Sequence, residues 1–339
     1  MKLWSSLYVL AVCSSIFSVS IAGDTEDYDE EAEKWEHWTY HDQKAWGDPE
    51  CKTGRAQSPI NFDPANLIQT CQIDTNFIID YNTKFKGFLS NYGHSVGMWN
   101  EDEKAKVYLS GGGLNSTYYF YQFHFHWAQD NHEGSEHTVA GLQYPLEGHF
   151  VFIKKGLTMA NSAGVKDGLA VIGVMFKVDD SAAEPSQQSD AGMETLVQRL
   201  SDIAIYSKHR KLAKKYIETG GVELSFKPFS LWPKNRKAFY RYQGSLTTPP
   251  CSEAVVWTVF ADPVPVKQSW LDAFRKVTDT HDEPHQFTYR HVLPVNARSV
   301  YLAVDPQSHV CAAKSSTTLG LSLALTILSS FLLFVRYSY

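Results

Sequence analysis

The chain has 339 residues, of which 43% are hydrophobic and 20% are charged, and it lacks low-complexity tracts and internal repeats. This composition excludes a disordered or fibrous protein and predicts one large globular domain. The net charge is -6 at pH 7, and much of the negative charge lies in the acidic segment 23–33, which is typical of a solvated leader. A nucleic-acid partner is therefore not expected.

Residues 1–22 have the pattern of a secretory signal peptide. Lys2 precedes an apolar stretch that ends in the small-x-small triplet Ser20-Ile21-Ala22. A buried first helix is the less favoured alternative. We expect the signal peptide to be removed and an acidic leader to follow over residues 23–35.

Alternating apolar segments, separated by Gly, Asn, Asp and Pro, dominate the middle of the chain. They are FKGFLSNYGHSVGMW, TYYFYQFHFHW, LEGHFVFIKK, GLAVIGVMFKV, FYRYQGSLTTPP and EAVVWTVFA, and the pattern predicts strands. Helical spacing of apolar residues in GMETLVQRLSDI and VKQSWLDAFRKV predicts two helices with a core-facing stripe. The chain is therefore expected to be mainly β (α+β), with helices at the periphery of a sheet.

The second of these strands carries two histidines in an aromatic segment. Because successive side chains of a strand point to opposite faces, Gln122, His124 and His126 share one face. Alternate residues lie about 6.7 Å apart, so two imidazoles on one face can converge on a single ion. The H-x-H spacing alone is also compatible with ordinary polar side chains, so a metal site needs a third ligand.

His149 in LEGHFVF is the candidate third ligand. It shares a strand face with Glu147 and Val151, and if the two strands are neighbours, three imidazoles meet on one side of the sheet. Three neutral nitrogen ligands favour zinc and leave a fourth position open, as in catalytic sites, whereas copper or iron is less expected. Gln122 and Glu147 each lie two residues before a ligand, where they can accept a hydrogen bond from its second ring N–H. Solvated polar side chains are the alternative for each of the two alone.

The C-terminal residues 319–335 carry no charge and are followed only by RYSY. As a helix this segment would be about 25 Å long, somewhat short of the hydrocarbon core of about 30 Å. The small residues of CAAKSSTT before it favour a GPI-attachment signal over a single spanning helix. The sequence thus predicts a linker with a candidate attachment region over residues 305–318 and a hydrophobic tail over residues 319–339.

Secretion would place the cysteines in an oxidising compartment. After Cys13 leaves with the signal peptide, four remain that can form disulfides: Cys51, Cys71, Cys251 and Cys311. The sequence does not fix how they pair. Asn115-Ser116-Thr117 is an N-glycosylation acceptor, expected on a connecting loop.

Several separate motifs, in order along the chain, resemble an α-class carbonic anhydrase of the extracellular, membrane-anchored (GPI-linked) type. They are QSPINF, QFHFHW, GSEHTV, LEGHFVF and GSLTTPPCSE, and the resemblance runs from residues 38–40 to residues 296–298. It implies a catalytic domain over residues 36–304, built on a large, twisted, mostly antiparallel sheet with peripheral helices. It also implies one zinc ion per chain, reversible hydration of carbon dioxide to bicarbonate at the outer face of the membrane, and inhibition by sulfonamides.

The resemblance assigns roles to individual residues. The zinc ligands are His124, His126 and His149, and the acceptors of their second ring hydrogens are Gln122 and Glu147. Glu136 and Thr247 match the pair in which the glutamate accepts the threonine proton, so that the hydroxyl can only accept from the attacking hydroxide. Substrate contacts are implied for Thr247 and Thr248, and for the apolar wall formed by Val151, Val171, Leu246 and Trp257. From the residues alone, the four apolar side chains are equally compatible with ordinary core.

Proton export is the role that the resemblance gives to His94, which would otherwise be interpreted as a surface histidine. Tyr40 and Asn91 match the polar cavity that orders the relay waters. Tyr92 and Gly97 stand where the cytosolic pattern has asparagines, so a bulky Tyr92 beside His94 is expected to bias the orientation of the imidazole.

The resemblance pairs Cys51 with Cys251, which would brace the loop after Thr248. For Cys71 and Cys311, pairing with each other and linkage of two molecules through Cys311 both stay open. Two other functions are also considered. A catalytically silent binding module at the cell surface would typically lack a zinc histidine, and all three are present; ester hydrolysis would be a side activity of the same site.

Overall fold

The computed structural model describes residues 38–100, 106–179, 189–208, 221–308 and 311. Contacts between Cα atoms divide the chain into two units, Met1–Thr39 and Tyr40–Tyr339, and only two residues of the first are described. The predicted signal peptide, acidic leader and hydrophobic tail therefore lie outside the described residues. All the strands and helices of the described ranges belong to the second unit.

Strands form most of the regular structure in the described ranges. They are β1 (Asn61–Phe62), β2 (Ile68–Thr70), β3 (Phe77–Ile78), β4 (Phe85–Asn91), β5 (Val96–Asn100), β6 (Tyr108–Gly111), β7 (Tyr118–Trp127), β8 (Thr138–Val139), β9 (Leu146–Lys154), β10 (Leu169–Val178), β11 (Val222–Phe226), β12 (Phe239–Gly244), β13 (Val255–Phe260), β14 (Val264–Val266) and β15 (Tyr301–Ala303). The helices are α1 (Pro49–Thr53), α2 (Met159–Ser162), α3 (Ser189–Ile203) and α4 (Gln268–Phe274), with a 3₁₀ turn over Pro228–Leu231. The prediction of a mainly β protein is confirmed.

Thirteen of these strands form one sheet, whose main path runs β11-β4-β5-β7-β9-β10-β13-β12-β15-β2. Most neighbours are antiparallel, and the pairs β10–β13, β10–β14 and β15–β2 are parallel. β1 and β8 form a separate parallel pair. The longest strands, β7, β9 and β10, lie side by side at the centre, so both predicted histidine strands are neighbours.

The two faces of the sheet bury different cores. On one face, Phe123 and Phe125 of β7 and Phe150 of β9 pack with the apolar stripes of α3 and α4. On the other, Val151 belongs to a smaller cluster that also contains Trp257. From Gln122 onward this alternation follows the period of two along β7, and it leaves positions 122, 124 and 126 for Gln122 and the histidines. Before it, a register shift between Phe120 and Gln122 places Tyr118 and Phe120 in the same core as Phe123 and Phe125. Both predicted helices are found, and the second ends at Phe274.

Two disulfides close the chain on itself. Cys51 pairs with Cys251, and Cys71 pairs with Cys311. The second pair settles the alternative that the sequence left open, because Cys311 is used within the same molecule.

In the part of the chain that the structure describes, no helix combines the length and the apolar character that crossing a membrane requires.

Candidate metal centre

His124, His126 and His149 meet on one face of the central sheet. In the antiparallel register of β7 and β9, His124 lies opposite His149 and His126 lies opposite Glu147. The candidate ligand nitrogens all lie within 4.8 Å of one another, and His126 Nε2 is 3.0 Å from His149 Nδ1. The rings of His126 and His149 are buried, and that of His124 is partly exposed. The two strands thus bring together the three imidazoles that the sequence singled out.

The ring nitrogens that face away from the cluster are each hydrogen-bonded to an oxygen: His124 Nδ1 to Gln122 Oε1 at 2.9 Å, His126 Nδ1 to the Thr288 carbonyl at 2.6 Å, and His149 Nε2 to Glu147 Oε1 at 2.7 Å. These oxygens select the tautomers in which the remaining three nitrogens carry lone pairs directed at one another. Gln122 and Glu147 lie where the sequence placed them. The Thr288 carbonyl was not predicted from the sequence. It is a backbone acceptor 162 positions away from His126, so no local side-chain pattern indicates it.

Desolvation favours the neutral form of His124 and of His126. Desolvation lowers the pKa of His124 well below its usual range, and the neighbouring His126 and His149 lower it further. Desolvation also lowers the pKa of His126, although the nearby Glu136 carboxylate opposes that shift. Both rings therefore retain a lone pair at pH 7, which a metal ligand requires.

Glu147 lies at the centre of a buried hydrogen-bond network. Its Oε2 accepts the backbone N–H groups of Glu136 and His137 at 2.8 and 2.9 Å, and its Oε1 lies 2.7 Å from His137 Nδ1. Burial alone would raise the pKa of this carboxyl, but the neighbouring His137 and His149, which hydrogen-bond it, lower it overall. Glu147 therefore stays ionised, which strengthens its hold on His149.

His137 extends this network away from the metal centre. Its Nε2 lies 2.6 Å from the Tyr242 hydroxyl, which in turn contacts the Ser58 hydroxyl at 2.9 Å. His137 lies within the motif GSEHTV, but its local sequence does not predict this hydrogen-bond role. His137, Glu147 and His149 could also be grouped as metal ligands by distance, but their close atoms already hydrogen-bond one another.

Glu136 carries an oxygen without a partner. The carboxyl group is buried, its Oε1 accepts the Arg290 backbone N–H at 2.8 Å, and its Oε2 accepts no hydrogen bond from the described residues. The expected hydrogen bond from Thr247 is not formed, although that residue is buried as well. Because Oε2 lies 3.8 Å from His149 Nδ1, the unused acceptor sits next to the histidine cluster.

The predicted apolar wall lies beside the same cluster. Val151 and Val171 are cross-strand partners, and Val171 is also paired with Trp257 on the far side of β10. Leu246 packs against the core cluster that contains these three residues. Thr248 is partly exposed, and its carbonyl accepts the Cys251 N–H at 2.8 Å.

His94 is buried, with 8% of its surface exposed, in the turn between β4 and β5. This corrects the interpretation from the residues alone, which made it a surface histidine. Asn91, the last residue of β4, adjoins the same turn: its amide donates to the carbonyls of Ala204 and Thr278, and its Oδ1 accepts the Gly93 N–H. Asn91 therefore holds the turn in place, and both of its amide hydrogens are used there.

Three other residues that the resemblance placed near His94 have identifiable packing contacts. Tyr40 is buried, with its ring edge-on to that of His126 at 6.5 Å between centroids. The Tyr92 ring packs against Trp99 at 5.2 Å. Gly97 lies opposite His124, and a Cβ there would come within 2.9 Å of the Phe123 carbonyl oxygen, so glycine lets β5 approach the ligand strand closely.

The disulfide between Cys51 and Cys251 lies in a hydrogen-bonded corner. Gln57 Nε2 donates to the Cys251 carbonyl at 3.0 Å, and the Arg290 guanidinium donates to the Cys51 carbonyl at 3.0 Å. Because the Arg290 backbone also bonds Glu136, this corner is connected to the metal centre.

Asn115 lies in the turn between β6 and β7 and is exposed, as expected for the acceptor site.

Comparisons with known proteins agree with this geometry. The family model of eukaryotic-type carbonic anhydrase matches residues 36–304. A Caenorhabditis elegans relative is 35% identical over 266 residues, which is 78% of this chain and 96% of that protein. Human carbonic anhydrase 7 is 32% identical over 253 residues, 73% of this chain and 88% of its own length, and rat carbonic anhydrase 4 is 30% identical over 269 residues, 76% and 78% respectively.

Proposed function

Because the chain belongs to the eukaryotic-type carbonic anhydrase family, we propose that it catalyses the reversible hydration of carbon dioxide to bicarbonate and a proton. One observation carries the proposal: three imidazoles converge, and each is oriented by an oxygen on its outer nitrogen. A silent binding module would have no use for this arrangement. The same site accounts for the expectation that sulfonamides inhibit the protein.

One zinc ion per chain suits this donor set, held by His124 Nε2, His126 Nε2 and His149 Nδ1. When bound, zinc supplies a Lewis acid that acidifies water, so that hydroxide is available near neutral pH. Gln122, the Thr288 carbonyl and Glu147 hold the ligand rings in the required tautomers.

Glu136 and Thr247 are proposed to orient the nucleophile. If the Thr247 hydroxyl donates to the unpartnered Glu136 Oε2, its oxygen can only accept a hydrogen bond. A nucleophile that donates to Thr247 then directs a lone pair at carbon. Carbon dioxide has no net dipole, and the apolar side chains of Val151, Val171 and Trp257 offer it a site from which water is excluded.

His94 is proposed to carry the released proton away from the centre. Imidazole suits this task because its usual pKa is near neutral. The burial of His94 implies that it must move, or that water must reach it, before the proton leaves to bulk buffer. Tyr40, beside His126, is proposed to help order the water that links the two sites.

The test of this function is stopped-flow hydration of carbon dioxide by the purified protein, with zinc quantified in the same sample. Fast, sulfonamide-sensitive hydration with about one zinc per chain is expected. His126→Ala should lose both zinc and activity, whereas His132→Ala, at an exposed histidine outside the cluster, should lose neither. Folded protein that binds no zinc would rule out the three-histidine site, and zinc without activity would favour a binding role.

We propose that the protein acts at the outer face of the plasma membrane, held there by a GPI anchor. The two disulfides support passage through an oxidising compartment. Phosphatidylinositol-specific phospholipase C should then release the protein from intact cells. Retention on the membrane after that treatment would favour a spanning tail instead.

A further inference from the structure

A cavity of about 160 Å³ lies apart from the metal centre. Asn115, Tyr118, Asp167, Arg241 and Tyr301 are among the residues that line it. Arg241 stands on β12 between two tyrosines that belong to the core cluster beside the histidines, so its own side chain points to the other face of the sheet. The cavity therefore opens on the face opposite the metal centre and plays no part in the proposed reaction.

The cavity holds an unused acceptor and an unused donor. Asp167 Oδ1 is buried and accepts no hydrogen bond from the described residues. Four of the five guanidinium hydrogens of Arg241 are donated, to the Gly112 and Gly113 carbonyls and to Thr258 Oγ1, and the fifth, on Nη1, has no acceptor in the described ranges. A buried carboxylate oxygen without a partner is costly, so a ligand that supplies a donor there would be stabilising.

Asn115 is held at this cavity by a rigid turn. Gly111, Gly112 and Gly113 have φ values of 71°, 58° and 69°, a region that favours glycine, and a Cβ on Gly112 would lie 2.0 Å from the Phe77 ring. Arg241 fixes the same turn by bonding two of its carbonyls. The Asn115 amide, exposed in this turn, therefore stays beside the cavity that it lines.

We propose that this cavity seats the first sugar of an N-linked glycan carried by Asn115. The residue starts the acceptor triplet Asn115-Ser116-Thr117. A cavity of about 150 Å³ holds one benzene ring, so the space here can receive one face of a pyranose ring while the remaining sugar substituents extend into solvent. N-acetylglucosamine offers hydroxyl and amide N–H donors to Asp167, oxygen acceptors to Arg241, and an apolar ring face to Tyr301.

The covalent step is that of ordinary N-glycosylation. The Asn115 Nδ2 forms a bond to the anomeric carbon as the bond from that carbon to a lipid pyrophosphate donor breaks, and one amide proton is lost. The host supplies the lipid-linked oligosaccharide as donor and an oligosaccharyltransferase as catalyst, and the lipid pyrophosphate is the leaving group. The proposal rests on passage through the secretory pathway, and it is independent of the zinc chemistry.

The experiment uses the full chain from a secretory host that attaches high-mannose glycans. Endoglycosidase H leaves one N-acetylglucosamine on the asparagine, and this product is compared with Asn115→Gln by thermal unfolding. The one-sugar protein is expected to have a Tm higher by about 2 °C or more. The comparison is repeated in Asp167→Gly, which removes the carboxylate at a residue whose φ of 57° suits glycine.

The gain in Tm should disappear in the Asp167→Gly background. It should persist in Asp282→Gly, a matched control in which another aspartate of positive φ, 64°, lies outside the cavity. The proposal is overturned if mass spectrometry shows Asn115 unmodified in the secreted protein. It is equally overturned if one sugar gives no gain in Tm, or the same gain with and without the Asp167 carboxylate. Carbon dioxide hydration measured on the same samples would report separately on the proposed function.

Discussion

At the scale of single residues, the unpartnered oxygen of Glu136 predicts that activity depends on the Thr247 hydroxyl. Thr247→Val keeps the volume of the side chain but removes the hydroxyl that is proposed to bond Glu136 Oε2. We expect kcat for carbon dioxide hydration to fall about 100-fold, since the nucleophile loses its orientation, while zinc content stays unchanged. Stopped-flow rates and metal analysis measure both. Thr53→Val, at an exposed threonine of α1, is the control, and equal rates in all three proteins would remove Thr247 from the mechanism.

His285 is a buried histidine that predicts acid sensitivity. Desolvation lowers its pKa to about 4; the nearby Asp279 carboxylate opposes that shift, and His94 and His41 add smaller contributions that lower the pKa. Its Nε2 has no partner in the described part of the chain, and its ring packs edge-on to Trp127. Because the folded pKa lies below the unfolded value of about 6.5, the unfolded chain binds the proton more readily. Stability is therefore lost as pH falls from about 6.5 toward 4.

The test compares the free energy of unfolding in urea at pH 7.5 and pH 5. His285→Met should lose less stability over this interval than the parent, by about 2 kcal/mol, because it no longer has this proton to bind. His132→Met, at an exposed histidine, should follow the parent. Parallel pH profiles for His285→Met and the parent would show that the imidazole titrates normally in the fold.

At the scale of elements, the pairing of β5 with β7 controls the geometry of the first ligand. A methyl group on Gly97 would come within 2.9 Å of the Phe123 carbonyl oxygen and 3.2 Å of His124 Cβ, so Gly97→Ala must push the strands apart. We expect a loss of stability of about 1–3 kcal/mol and zinc binding weakened about 10-fold. Urea unfolding and competition with a zinc chelator measure these. The control is Gly47→Ala, which should be neutral because no atom lies within 4 Å of the new carbon. Unchanged zinc affinity in Gly97→Ala would show that the spacing of β5 and β7 does not affect zinc binding.

Long, periodic strands and helices were predictable from the sequence, whereas short strands were not. The period of two along β7 and β9 was enough to predict which side chains face the metal, because a strand offers only two faces. Helical spacing of apolar residues was enough to predict α3 and α4. Strands of two or three residues, such as β1 and β3, carry no periodicity, so they could not be predicted. The order of strands in the sheet depends on tertiary pairing and was not predictable from local pattern.

The same limit applies inside the site. Gln122 and Glu147 were predictable because they stand on the ligand strands, two residues from a histidine. The Thr288 carbonyl and the link from His137 to Tyr242 depend on segments that meet only when the sheet closes. His94 was expected at the surface for a related reason: its burial is caused by neighbours from distant parts of the chain, which its local polar context does not reveal.

At the scale of the whole molecule, two disulfides of similar span should have different consequences. Their cysteines are separated by 200 and 240 positions, so removal of either bond frees a long loop in the unfolded chain. Each is expected to contribute about 2–5 kcal/mol to stability. Only the Cys51–Cys251 bond is joined to the metal centre, because the Cys251 N–H bonds the carbonyl of Thr248 and Arg290 connects Cys51 to Glu136.

We therefore expect stability and activity to separate between two double variants. Cys51→Ser with Cys251→Ser should lower both the free energy of unfolding and kcat, since the loop that carries Thr247 loses its brace. Cys71→Ser with Cys311→Ser should lower the free energy of unfolding by a similar amount and leave kcat intact, because that bond joins the segment after β2 to residue 311 and touches no part of the centre. Urea unfolding and carbon dioxide hydration under conditions where both variants are folded distinguish the cases. Equal losses of kcat would mean that activity depends on overall stability and not on this disulfide, whereas loss confined to the first variant would place the effect at the Thr247 loop and the Arg290 contact to Glu136.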